Sequence, residues 1–160
     1  MTDLMACVWL APDKAAEAVR LYTRVLPDTE IVSHHRFENP DAPDHSPELW
    51  TLRVGEASLQ VMGAPEGDAP GFTTSLSLSL TCPDQQSLDR AWDGILEAGG
   101  HELQCGWVVD PFGVNWQVIP QAFHELVGSA DSDQAQRVVE AVWQMTRIDV
   151  EGLRAAAAAS

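Results

Sequence analysis

Basic residues are scarce in this chain: nine Lys and Arg stand against twenty-four Asp and Glu, a formal net charge of −15 over 160 residues. A nucleic-acid binder displaces counterions from phosphates with a basic stripe, and none is visible, so no nucleic-acid partner is expected. Anionic membrane surfaces would repel the chain for the same reason. Cysteine is also sparse. Cys7, Cys82 and Cys105 make an odd count with no CxxC pair, which supports neither a disulfide framework nor a zinc knuckle and fits a reducing cytoplasm. No stretch approaches the roughly 18–20 apolar residues needed to span a bilayer. Met1 to Leu4 shows no basic region leading into an apolar one, so no signal peptide is read there. The expected location is the cytoplasm.

What the chain has is apolar material. Hydrophobic residues make up 45% of it, and six Trp are available to fill a core or line a cavity. The length suits one compact domain or two small modules. Residues 5–10 read as a short buried strand. From Asp13, the residues Ala15, Ala16, Val19, Tyr22 and Leu26 recur at helical spacing, and Pro27-Asp28 stops the helix. Glu30 to Phe37, Glu48 to Val54 (with Trp50, Leu52 and Val54 on one side) and Ala57 to Met62 read as strands, with a proline-containing loop over 38–47. The first half therefore reads β-α-β-β-β over 1–62.

Residues 63–71, rich in Gly and Pro, read as a linker. The order then repeats over 72–120. Thr73 to Leu80 reads as a strand with Leu76, Leu78 and Leu80 on one face and Ser75, Ser77 and Ser79 on the other. Asp84 is placed to cap a helix carrying Leu88, Trp92, Ile95 and Leu96, which ends at Gly99-Gly100. Short strands follow at 101–104, 106–109 and 114–119, the last after an Asp110-Pro111-Phe112-Gly113 turn. Residues 121–160 read as a helical extension with a frayed end over 155–160. Its helix after Asp131 carries an apolar stripe that needs cover from its own domain or from a second subunit.

The segment Cys105-Gly-Trp-Val-Val-Asp-Pro-Phe-Gly-Val-Asn-Trp-Gln-Val-Ile-Pro120 resembles the closing signature of PhnB-like proteins, a branch of the vicinal oxygen chelate (glyoxalase/bleomycin-resistance) superfamily. Val25-Leu-Pro-Asp28 after Leu21-Tyr22, and Glu97-Ala-Gly-Gly100, resemble the ends of that branch's two helices. The resemblance covers roughly 5–147. It implies an α+β fold of two βαβββ modules whose curved mixed sheets surround a cavity, with helices outside and at the C-terminus. Some relatives carry a demethylubiquinone methyltransferase label, but no Gly-rich strand-to-helix turn of the kind that binds adenosyl cofactors is seen.

Metal-using members of the superfamily place His or Glu ligands on four strands. By resemblance these positions fall on Gln117, Gln60 and, near the start of the second module, Ser77. The first-strand position is ambiguous by a residue, with Cys7 the best match and Trp9 on the same face. Strand alternation places Ser58, Gln60 and Met62, the serines of 75–79, and Asn115, Gln117 and Ile119 opposite the apolar faces that would pack on helices. The candidate ligand-pocket residues are thus Cys7, Trp9, Gln60, Ser77, Asn115 and Gln117. Divalent metals want imidazole, carboxylate or thiolate. Amide and hydroxyl oxygens donate weakly and bring no charge, so neither a metal nor another cofactor is expected.

Plainer readings stand beside these. Gln60 and Gln117 are equally compatible with interior amides satisfying each other or water. The serine face could point to solvent. Cys105 reads as an inert thiol, and Trp107 and Trp116 as core. His34, His35 and His45 with Asp41 and Asp44 match no ligand motif and read as solvated surface. His101 and His124 stand alone. The expected function is metal-free binding of a small organic molecule in a cavity between the modules, by a homodimer. The alternative is a metal-dependent glyoxalase, lyase or dioxygenase of the same superfamily. A third class, an interaction module, would rest on the stripe of the 131–147 helix.

Overall fold

The computed structural model describes residues 4–38, 40, 46–63, 71–129 and 131–159. The expected linker over 63–71 and the residues His45, Asp41 and Asp44 fall wholly or largely outside them. The chain divides into two compact units, Met1–Phe72 and Thr73–Ser160.

In the first unit, β1 (Ala6–Leu10), β2 (Thr29–Arg36), β3 (Glu48–Val54) and β4 (Ala57–Gly63) form one sheet in the order β1-β4-β3-β2. β1 runs parallel to β4 and the other pairs are antiparallel. The parallel pair requires a crossover, supplied by α1 (Pro12–Val25) with Pro12 in the first turn, where a missing N–H costs nothing. One face of α1 buries Ala15, Ala18, Val19, Tyr22 and Val25. The strands answer with Val8, Leu10, Trp50, Leu52, Leu59 and Val61, all buried. The start of α1 comes so near β4 that a Cβ on Gly63 would lie 3.1 Å from the Ala15 Cβ and 3.2 Å from the Pro12 Cα. A side chain there would press on the first turn of the helix, so the glycine eases its close seating.

The second unit repeats the plan with β5 (Leu78–Cys82), α2 (Gln85–Glu97), β6 (His101–Glu102), β7 (Trp107–Val109) and β8 (Asn115–Pro120), in sheet order β5-β8-β7-β6. The Asp84 carboxylate accepts the Ser87 backbone N–H at 2.7 Å, the expected cap of α2. Leu88, Ala91, Trp92 and Ile95 of α2 are buried, as are Leu80, Cys82, Val108, Trp116 and Val118 of the sheet. The architecture is therefore the expected α+β pair of βαβββ modules followed by helices.

Two details differ from expectation. The strand anticipated over 73–80 begins only at Leu78. Residues 73–76 form a turn, closed by the Leu76 N–H donating to the Thr73 carbonyl and the Ser75 N–H to the Thr73 hydroxyl, and Leu76 is left 74% exposed. The tail also holds more structure than its composition suggests. After α3 (Gln121–Ser129) and α4 (Ser132–Trp143), α5 spans Val150–Ala158, where an unravelled end was anticipated over 155–160.

These last helices pack on their own unit. Val138 and Val142 of the α4 stripe are buried together with Ile148, Val150 and Leu153 of the following segment, while Trp143 at the end of α4 stays 57% exposed. Gln85 of α2 donates to the Ile148 carbonyl at 3.2 Å and accepts the Val150 N–H at 2.9 Å. Arg147 reaches Asp89 at 3.3 Å and Asp93 at 3.0 Å. Among the described residues, no helix is long and apolar enough to cross a membrane.

Candidate functional site

Each sheet has one face under its helix and one face turned away from it. Strand register identifies the helix-free rows. In the first sheet, Cys7 pairs with Gln60, Gln60 with Thr51, and Thr51 with Ser33. One step along the strands, Trp9 pairs with Met62, Met62 with Leu49, and Leu49 with His35. One step the other way lie Ser58, Arg53 and Glu30, the last two joined in an ion pair at 2.6 Å. Three of the sequence-selected residues, Cys7, Trp9 and Gln60, therefore share one face and sit beside one another. Gln60 is half-buried, and among the described residues neither its amide nor the Thr51 hydroxyl has a side-chain hydrogen bond. Neither is sealed from solvent, since no buried side-chain N or O atom among the described residues lacks a partner. Desolvation against the sheet pushes the Cys7 thiol above its ordinary range, which makes it a poor thiolate nucleophile at neutral pH.

In the second sheet the corresponding groups are spent internally. The Gln117 side-chain N–H donates to the Ser77 hydroxyl at 2.8 Å, bringing those two candidates together across the start of β5. Ser79 and Trp107 flank Gln117 on the neighbouring strands. Asn115 is buried and donates from its amide to the Thr73 carbonyl at 3.2 Å, which ties the entry turn to β8. Beyond it, the Asp110 turn is a built feature. The Asp110 carboxylate, 2% exposed, accepts the Phe112 N–H at 2.9 Å, the Val114 N–H at 3.0 Å and the Trp116 indole N–H at 3.0 Å. That explains the Asp-Pro-Phe-Gly sequence as architecture: a buried carboxylate is tolerated when its lone pairs are filled.

Thr51 and Trp107 share these faces with the chosen residues but were not selected from sequence. The signal for Thr51 was present, because the alternation that buries Trp50 and Leu52 must turn Thr51 the other way. The histidines act elsewhere. His34 lies on the opposite face of β2, stacked on Trp50 with ring centroids 4.5 Å apart, and its Nε2 lies 2.9 Å from the Glu48 carboxylate. His124 Nε2 lies 3.4 Å from the Thr81 hydroxyl. Among the described residues no three His, Cys, Asp or Glu side chains gather as metal donors. The carried-over positions offer two amides, a hydroxyl and a thiol held protonated, with one amide already engaged by the hydroxyl. That donor set does not fit a Lewis-acid ion.

Three comparisons bear on these faces. A family model described as 3-demethylubiquinone-9 3-methyltransferase matches residues 2–119. No curated protein matches the chain. Among solved structures, the PhnB protein of Bacillus cereus is 22% identical, with a TM-score of 0.63 over 74% of this chain and 99% of that one. A Pseudomonas aeruginosa protein is 19% identical, with a TM-score of 0.55 over 75% and 98%. The trypanothione-dependent glyoxalase I of Leishmania major is 13% identical, with a TM-score of 0.52 over 81% and 99%. At these identities the structures establish a shared fold.

Proposed function

We propose that this chain, which belongs to the 3-demethylubiquinone-9 3-methyltransferase family and so to the PhnB-like branch of the vicinal oxygen chelate superfamily, binds a small organic molecule on the helix-free faces of its sheets without using a metal ion. The observation that carries the reading is that Gln117 donates to Ser77 at 2.8 Å, a neutral pair at two of the positions where the resemblance, which also points to Gln60, would put charged ligands. Such groups orient a guest by hydrogen bonds while apolar neighbours supply burial. They lack the anionic or imidazole donors that a divalent ion requires.

The methyl transfer in the family's description is not carried over to this chain. None of its strand-to-helix connections contains a glycine. Ala11 joins β1 to α1, Pro83 and Asp84 join β5 to α2, and β8 runs directly into α3. No backbone cradle of the Gly-rich kind is therefore available to an adenosyl group.

The test is elemental analysis and native mass spectrometry of protein purified without chelator from cells supplied with Zn, Fe, Mn and Ni. Well under one ion per chain is expected, together with an organic adduct that is lost on denaturation. One equivalent of metal, lost in Gln117→Ala, would overturn the reading in favour of a metal-dependent glyoxalase, lyase or dioxygenase. Sedimentation of the same material tests the expected homodimer.

A further inference from the structure

We draw no further inference here: the strongest candidate, the crevice of about 510 Å³ beyond the carboxyl ends of β5 and β8, lined by Asp84, Glu125, Asp149, Glu151 and Arg154 beside the starts of α2, α3 and α5, carries none because it rests on helix N-termini and an acidic cluster, with no second observation that points to a ligand.

Discussion

The two βαβββ modules share a plan and differ in how their polar groups are used. In the first, Gln60 and Thr51 sit on the helix-free face with no side-chain partner among the described residues. In the second, Gln117 is tied to Ser77, Asn115 to the Thr73 carbonyl, and Asp110 to two backbone amides and an indole. The second also carries α3 to α5, pinned through Gln85, Arg147 and the amides of Cys105 and Gly106. The repeated topology is thus used in two ways: the polar groups of the second module brace it, and those of Gln60 and Thr51 in the first are not spent on other described side chains.

Removing the best-satisfied group of the braced module should break the comparison hardest. Asp110→Ala leaves a buried indole N–H and two amides without acceptors, and a cost of about 3–5 kcal/mol is expected. Hydrogen exchange read by mass spectrometry should show protection lost first over β7, β8 and α2. A change confined to β1–β4 would contradict this account.

Gly106→Ala should come next. Gly106 has φ +78°, and a Cβ there would lie 2.8 Å from the Ile148 Cδ1 and 3.1 Å from the Val118 carbonyl. The left-handed backbone and the crowding together should cost about 2–3 kcal/mol, read as a lowered midpoint in urea. Unchanged stability would mean that the 104–107 hairpin is not held against the α4–α5 connection.

The thiols offer a pH test of the same contrast. Burial pushes the Cys82 thiol from 9.0 up to about 12, with Asp84 nearby adding to the shift. A raised value in the folded state gives stability that is complete below pH 9 and lost as pH climbs toward 12. The decline should reach up to about 1.4 kcal/mol per pH unit in that window. Cys82→Ala should flatten the decline while lowering stability at pH 7. Ellman's reagent at pH 8 should label exposed Cys7 in the native protein and leave Cys82 untouched until unfolding.

The smallest effect separates the two glutamines directly. Gln117→Leu forfeits the bond to Ser77 and should cost about 1 kcal/mol. Gln60→Leu gives up no side-chain bond within the described chain and should leave the melting temperature within error. Equal losses would erase the proposed division of labour.

Much of this was legible before the structure. Alternation in β4 turned Gln60 away from Leu59 and Val61, because strand periodicity is local, whereas Cys7, with Trp9 on its face, came from the family resemblance at a position ambiguous by a residue. The start of β5 was not legible. Ser75 to Leu80 alternates well enough for a strand, but the Thr73 carbonyl is claimed by Asn115, forty-two positions away, and no local pattern records a contact of that range. The alanine-rich end misled in a similar way. Asp149 caps α5 by accepting the Glu151 and Gly152 amides, and Arg137 donates to the carbonyls of Ala156 and Ala157. The cap could have been read from Asp149 itself, whereas the Arg137 contact depends on the fold. Of the two plainer readings of the amides, Gln117 does find an internal partner, though that partner is Ser77. Gln60 has no such partner among the described side chains.

The hairpin at Cys105 and Gly106 also sets an order on synthesis. Its two amides are answered by the carbonyls of Met145 and Thr146, and Gly106 in turn accepts from Val118 of β8. As the nascent chain emerges, the first sheet has all its strands once Gly63 is out. The second must wait for the α4–α5 connection to leave the ribosome before its hairpin amides are satisfied. A stalled or prematurely released chain would thus present a finished first module beside an unfinished second one, which is the form that quality-control proteases would meet.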